Sequence, residues 1–113
     1  MEDWELAVQA AHSRKASVLK VIHIGAVSTF TDHFIICTGT NGRQVQAIAD
    51  AVQTDLKKER LRPMSVEGFQ NADWILLDYG DFVFHVFSPE KRTYYDLERL
   101  WRTAPTLPVP AAA

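Results

Sequence analysis

The sequence predicts an α/β fold, a compact single domain in which helices pack on a mixed β-sheet. A chain of 113 residues is long enough to bury a core of its own as one domain. Short runs rich in β-branched and apolar residues alternate with stretches of helical periodicity. Their order is helix, strand, strand, helix, three strands and a final helix, and this order indicates a sheet covered by helices.

Composition excludes several classes of partner. The formal net charge is −2 and the isoelectric point is near 6.0, so no global basic field directs the protein to DNA or to an anionic membrane. No apolar run approaches the roughly 20 residues that cross a bilayer, and the acidic N-terminus is not typical of a secretory signal. We expect a cytoplasmic protein.

The single cysteine, Cys37, lies in an apolar run and is expected to be a buried small hydrophobe.

The first half of the chain contains two helices and two strands. Residues 2–16 are predicted to form a helix with Asp3 as its N-cap. Strands follow at residues 17–25 and 33–39, and the second is apolar on both faces, which indicates a central position in the sheet. After the sequence GTNG, Thr40 or Asn41 can cap the clearest helix. Its apolar residues recur at helical spacing: Val45, Ile48, Ala49, Val52 and Leu56.

The second half is predicted to contain an edge strand, a hairpin and a short helix. Residues 64–68 form the edge strand, and residues 72–87 form a hairpin that turns at Gly80-Asp81. Ser88-Pro89 is a helix-start signal, and the helix that follows is amphipathic. Residues 104–113 are rich in proline and alanine, so we expect a frayed or disordered tail after a domain at residues 1–103.

The hairpin divides into two faces because successive strand side chains point to opposite sides. With the turn at Gly80-Asp81, one set of apolar residues should pack under the helices. We call it the core face: Ile75, Leu77, Tyr79, Phe82, Phe84 and Val86. The other set mixes large apolar groups with a carboxylate and an imidazole. We call it the mixed face: Trp74, Leu76, Asp78, Val83, His85 and Phe87.

Three interpretations of the mixed face remain open from the residues alone. Exposed apolar area usually marks a contact site, and tryptophan and tyrosine are favoured in protein interfaces. The face can equally be covered by a helix, with Asp78 and His85 bonded as diagonal cross-strand neighbours. A catalytic Asp78/His85 pair is the third interpretation, and it has the least support because no serine or cysteine lies in a nucleophile-elbow context.

Other catalytic and metal chemistry is not favoured by the sequence. The four histidines have no ligand spacing on a shared element, so no metal site is predicted. The loop GTNG opens a helix but lacks the lysine of a P-loop and the glycine pattern of a dinucleotide fold. The aspartates do not share one strand face as a nucleotidyltransferase would need. We therefore predict no cofactor and no enzyme activity, with a nucleotidyltransferase-like nucleotide-binding enzyme as the alternative.

Two long segments resemble the ribosomal silencing factor family, RsfS, which is also called Iojap. They are TDHFIICTGTNGRQVQAIADAV and ADWILLDYGDFVFHVFSPEKRTYYDLERLW. The resemblance implies a fold akin to nucleotidyltransferases without their catalytic carboxylates. It implies binding to the large ribosomal subunit through the ribosomal protein numbered fourteen, at the face that meets the small subunit. Such binding would block subunit joining and repress translation in starved or stationary cells. Family members also self-associate, so a homodimer is implied as well.

The resemblance places the docking residues on the mixed face and the helix beside it. An acidic set, Asp73, Asp78 and Asp81, would suit a basic ribosomal protein. One departure is the first strand, KVIHIG, which lacks the aspartate that family members often carry near His23. The residues implied for docking are Trp74, Leu76, Asp78, His85, Phe87, Tyr94, Tyr95 and Leu100.

Overall fold

The computed structural model describes residues 1–113 and contains four α-helices and a single six-stranded sheet. The helices are α1 (Asp3–Ser13), α2 (Gly42–Lys58), α3 (Pro89–Tyr95) and α4 (Leu97–Leu100). The strands are β1 (Ser17–Ile22), β2 (His33–Thr38), β3 (Ser65–Glu67), β4 (Trp74–Asp78), β5 (Phe82–Phe87) and β6 (Thr106–Leu107).

The sheet is mixed, as predicted. Its strand order is β3-β4-β5-β2-β1-β6. β2 pairs with β5 in parallel, while the other neighbouring pairs are antiparallel. The central position of β2 and the edge position of β3 are both confirmed. The long connection from β2 through α2 to the hairpin is what lets β5 return parallel to β2.

The hairpin has the predicted register. Trp74 lies opposite Phe87, and Leu77 lies opposite Phe84. At the turn, Gly80 has a φ of 86°, which a glycine adopts without steric cost, and the Tyr79 N–H donates to the Phe82 carbonyl at 3.0 Å. The division into a core face and a mixed face is therefore confirmed.

Helices α1 and α2 cover the core face. They share one apolar cluster with β1, β2, β4 and β5, which explains why strands buried here carry few polar residues. The cluster includes Cys37, and its burial confirms the interpretation of this residue as a small hydrophobe. Burial also raises the pKa of the Cys37 thiol to about 12, so the thiol stays protonated at neutral pH.

Helix starts follow the capping rules, with one correction. Asn41 caps α2, since its Oδ1 accepts from the Gln44 N–H at 2.9 Å. The prediction of Asp3 as the cap of α1 is wrong: Glu2 is the N-cap, and Glu2 and Glu5 form a reciprocal capping box. Asp3 is the first helical residue, where a carboxylate still favours the helix dipole.

Several predicted elements are shorter or broken in the structure. α1, predicted over residues 2–16, ends at Ser13. β1 ends at Ile22, and Ile24–Ala26 form a 3-10 turn whose Gly25 N–H donates to the Asp32 carbonyl. The last helix, predicted as one amphipathic segment, is broken at Asp96, which has a φ of 47°. Aspartate tolerates this left-handed conformation better than most residues. The break separates α4 from α3, and α4 buries Leu97 against the sheet.

The C-terminal segment differs from the frayed tail that its composition suggests. β6 extends the sheet by pairing with β1. Beyond it, the Gln9 side chain donates to the Ala111 carbonyl at 2.8 Å, and a His12 ring nitrogen lies 2.9 Å from the Pro110 carbonyl. Prolines are tolerated in the tail because β6 is an edge strand. The tail is held by side chains of α1, and no pattern within the tail sequence predicts these contacts.

Candidate functional site

The mixed face is covered only in part. A second, smaller apolar cluster lies here and includes Val83, Phe87 and Leu97, with Trp74 and Leu76 packed at its border. α4 and the residues after it cover the side of the face nearest β1 and β2, since Leu97 and Ala104 are buried there. On the side nearest β4 the cover is incomplete, and Trp74 and Leu76 remain half-buried.

Asp78 and His85 do not form the predicted pair. The indole N–H of Trp74 donates to His85 Nδ1 at 3.0 Å, whereas Asp78 Oδ1 accepts from the Gly80 N–H at 2.8 Å. The prediction of a bonded Asp78/His85 pair, structural or catalytic, is therefore wrong. Asp78 is satisfied locally because an aspartate two residues before a turn glycine readily accepts its backbone N–H.

His85 lies in an apolar site that keeps its ring neutral. The residue is 3% exposed, and its ring meets the Phe34 ring edge to face at 4.6 Å between centroids. Burial lowers the pKa of His85 to about 3. Because Nδ1 accepts from Trp74, the neutral ring carries its proton on Nε2, which has no hydrogen-bond partner. A ring that stays neutral at physiological pH is a poor general acid there.

An exposed aromatic band runs from β4 to α3. The Trp74 and Tyr95 rings lie 4.7 Å apart, and the Tyr95 and Tyr94 rings lie 5.1 Å apart. Tyr94 is 75% exposed and Leu100 is 68% exposed. Contiguous exposed apolar groups of this kind indicate a contact site. We call the following set the docking surface: Trp74, Leu76, Asp78, Tyr94, Tyr95 and Leu100.

Two residues expected at the contact lie underneath it. His85 and Phe87 are both buried, and Phe87 stacks under Trp74 at 5.0 Å between ring centroids. They support the docking surface and are not exposed to a partner. Leu100, which is also implied for docking, is by contrast exposed on α4.

Charges around the docking surface have both signs. Asp73 is exposed beside the start of β4, but Asp81 lies at the other end of the hairpin, in a cavity it shares with Glu2 and Asp32. The predicted acidic set is therefore dispersed. On the α4 side, Arg99, Arg102 and Asp96 line a cavity beside the two tyrosines of α3, so cationic groups are in excess at this border of the docking surface.

Two groups of aromatic and histidine rings were missed at the level of sequence. Phe30 is exposed and packs against Phe34 and Trp101 at 5.7 to 5.8 Å. Phe30 lies in the turn-like segment AVSTFTD, which has no hydrophobic periodicity. A large aromatic residue in such a loop is the one local sign of this contact. His33 stacks between Trp4 and His23, at 5.0 and 5.3 Å. These rings come from three separate segments, so no local pattern reveals them.

The GTNG loop is occupied by the protein's own side chain. Gln44 Oε1 accepts from both the Thr40 backbone N–H, at 2.6 Å, and the Thr40 hydroxyl, at 2.7 Å. The Gln44 amide donates to the carbonyls of Arg14 and Lys15 at the end of α1. A phosphate held at this helix start would compete with Gln44 for the Thr40 donors. The loop thus serves to join α1 and α2.

Metal and membrane features complete the description of the chain. No group of three or more histidine, cysteine or carboxylate side chains is arranged to hold a metal ion. None of the helices is both long enough and apolar enough to span a membrane.

Fold and site together define a class: a small α/β protein with partly exposed aromatic rings on one face of its sheet. The profile of the family described as "Ribosomal silencing factor during starvation" matches residues 1–113. The chain belongs to this ribosomal silencing factor family, as its sequence resemblance implied. The nucleotidyltransferase-like comparison receives no support from these matches.

Individual relatives agree with this assignment. The chain is 39% identical to "Ribosomal silencing factor RsfS" of Halalkalibacterium halodurans, over 91% of this chain and 88% of that protein. A Chromobacterium violaceum crystal structure superposes with a TM-score of 0.85 at 33% identity, covering all of this chain and 93% of that one. A more distant mouse relative, "Mitochondrial assembly of ribosomal large subunit protein 1", is 30% identical over 88% of this chain and 45% of that protein.

Proposed function

We propose that this protein silences ribosomes by binding the large ribosomal subunit through its docking surface. The partner is the ribosomal protein numbered fourteen, at the face that meets the small subunit. Occupying that face sterically blocks subunit association and represses translation in starved or stationary cells. The observation that carries the proposal is the partly uncovered aromatic band from Trp74 through Tyr95 to Tyr94, in a chain of the silencing factor family.

The mechanism needs affinity and shape. Trp74 is held in place by its hydrogen bond to His85 and by its stacking on Phe87, so its ring is rigid before binding. Rigid aromatic anchors lose little conformational freedom on association, and such residues dominate the binding energy of interfaces. Asp78, half-buried at the end of β4, and exposed Asp73 at its start can meet a basic protein on either side of the anchor.

Co-sedimentation tests the proposal. The purified protein should travel with isolated large subunits in a sucrose gradient and reduce their association with small subunits. Trp74→Ala should weaken docking by about 2 kcal/mol or more, as for other interface anchors. The matched control is Trp101→Ala, which removes an indole from the other side of the mixed face. Wild-type protein that stays at the top of the gradient would contradict the proposal.

Two further outcomes have separate meanings. Circular dichroism must show that Trp74→Ala keeps its fold, because an unfolded variant reports only on stability. Heat of binding from a nucleotide with a divalent metal in calorimetry would instead favour the nucleotidyltransferase-like enzyme. The occupied GTNG loop argues against that second result.

A homodimer is part of the same proposal. A second copy that uses the exposed aromatic residues would bury them in the free protein and compete with the ribosome. Dimer formation, measured by sedimentation equilibrium, should then fall in the Trp74→Ala variant together with docking. A dimer that persists unchanged in this variant would use a different surface.

A further inference from the structure

Helix α3 carries two tyrosines of the docking surface, and aromatic contacts between α3 and the sheet are those of Tyr95 with Trp74 and Phe87. Its single buried residue is Arg92, which is 8% exposed. The adjoining α4 also buries one residue, Leu97. Helices are normally attached by a stripe of apolar side chains. Here a guanidinium group takes that role.

The Arg92 guanidinium group joins three elements. Nη1 donates to the Val18 carbonyl and, at 3.0 Å, to the Thr38 hydroxyl. Nη2 donates to Glu98 Oε2 at 3.2 Å, forming an ion pair that links α3 to α4. A planar guanidinium group spreads five donors over three nitrogens in a fixed fork, whereas a lysine offers its three donors from a single nitrogen.

The β1 strand is shaped to receive this side chain. A bulge between Ser17 and Lys20 shifts the β1–β2 register, and Val18 within it has a φ of 49°. A β-branched residue in the left-handed region is uncommon. The bulge takes Val18 out of the regular pairing, and its carbonyl accepts from Arg92. In a regular β-ladder the Val18 carbonyl could bond to a neighbouring strand, but at the bulge it is available to accept from Arg92.

Arg92 and Tyr95 lie close together on α3. Tyr95 follows Arg92 by three residues, which places both on neighbouring parts of one helix surface. The helix ends at Asp96, which is left-handed and whose N–H makes the last helical bond, to the Arg92 carbonyl at 3.0 Å. Tyr95 then meets Trp74 at 4.7 Å. An α3 freed from the sheet would lose this ring contact.

We infer that Arg92 is a positioning residue for ribosome docking: by bonding Val18, Thr38 and Glu98 it holds α3 so that Tyr95 completes the docking surface against Trp74. The inference rests on the proposed function for its docking part. Its structural part, the dependence of the Tyr95–Trp74 contact on Arg92, concerns the free protein alone.

The first experiment is NMR of the free protein. Arg92→Met should lose the cross-peaks between the Tyr95 and Trp74 rings while it keeps those between Tyr79 and Phe82, which stack at 4.9 Å in the hairpin. Arg43→Met, an exposed arginine on α2, is the matched control and should keep both sets. Tyr95–Trp74 cross-peaks that persist in Arg92→Met would overturn the inference.

The second experiment is a double-mutant cycle on docking. Arg92→Met should weaken binding to large subunits by about tenfold, and adding Tyr95→Ala should cause little further loss, because residues that act through one another are not additive. Adding Leu76→Ala, on β4, should multiply the effect. Equal multiplication with both partners, or unchanged docking of Arg92→Met, would overturn the inference.

A milder variant tests the same contact in case Arg92→Met unfolds the protein. Glu98→Gln keeps the shape of the side chain and removes its charge, so it should weaken docking in the same direction, by roughly threefold, and show the same non-additivity with Tyr95→Ala. Additivity in this cycle would also count against the inference. Failure of the wild-type protein to dock would contradict the proposed function. The NMR result would still show whether the Tyr95–Trp74 contact depends on Arg92.

Discussion

The core face and the mixed face belong to the same strands, yet different structures cover them. On the core face, the 11 residues of α1 and the 17 residues of α2 bury one continuous apolar cluster. On the mixed face, α3 and α4 have seven and four residues and each buries a single side chain. Both faces of the sheet are apolar, but only the core face is fully covered. The mixed face therefore keeps exposed aromatic area, which is typical of a contact site.

Polar groups show the same difference. The buried polar or charged residues of the sheet and α3, Thr38, His85 and Arg92, lie on or beside the mixed face. Burial of polar groups is costly unless they are hydrogen-bonded, and each of these three side chains has at least one hydrogen-bond partner. They bond Trp74 and hold α3 to the sheet, so the polar contacts of the mixed face determine positions where the core face has only apolar packing.

The largest expected effect breaks the core face. Phe84 is fully buried there, and Phe84→Ala should lower the free energy of unfolding by about 3–5 kcal/mol. Leu76→Ala, at a half-buried position of the mixed face, should cost at most about 2 kcal/mol because less area is lost from contact. Urea unfolding followed by circular dichroism measures both. Equal losses would mean that the two faces are packed alike.

The next effect is a pH dependence that originates on the mixed face. The unfolded chain binds a proton at His85 near its ordinary pKa of 6.5, whereas burial lowers the folded pKa to about 3. Stability is therefore complete above about pH 6.5 and falls as the pH drops toward 3, by up to about 1.4 kcal/mol per pH unit. Burial also lowers the pKa of His33, which adds a contribution of the same sign.

The variant His85→Gln isolates that contribution. Glutamine keeps an acceptor for the Trp74 indole N–H but does not titrate, so its stability should depend less steeply on pH than that of the wild type. Urea unfolding at about pH 7 and about pH 4.5 gives the comparison, with the steepest wild-type loss expected between them. His33→Gln serves as the control for the other lowered pKa. Parallel pH profiles for His85→Gln and the wild type would contradict a buried neutral ring.

The smallest expected effect on stability separates folding from docking. Tyr94 is 75% exposed, so Tyr94→Ala should change the free energy of unfolding by less than about 0.5 kcal/mol. It should still weaken co-sedimentation with large subunits, because an exposed tyrosine beside the anchor belongs to the docking surface. Met64→Ala, which is also 75% exposed but lies beside β3, is the matched control and should dock normally. Similar docking by both variants would remove Tyr94 from the surface.

The hairpin was predicted accurately because its information is local. Side-chain alternation and a glycine turn determine which residue faces which, and the register from Trp74–Phe87 to Asp78–Val83 follows. The partners of polar side chains were not predicted in the same way. Both the His85 ring and the Gly80 N–H were possible hydrogen-bond donors to Asp78, and the carboxylate accepts from the Gly80 N–H, which is nearer in the sequence.

Local sequence patterns were enough to identify the family, the mixed α/β fold, helix α2 and the two faces of the hairpin, because motifs, periodicity and turn residues act over short stretches of chain. What covers each face depends on tertiary contacts. The break at Asp96, the β6 strand, the Arg92 contacts with Val18 and Thr38, and the Trp74–His85 hydrogen bond all depend on residues distant in the sequence or on a choice among nearby partners. Those long-range contacts bury His85 and Phe87 and leave Trp74, Tyr94 and Tyr95 as the exposed aromatic band, because coverage is settled by packing across the whole domain.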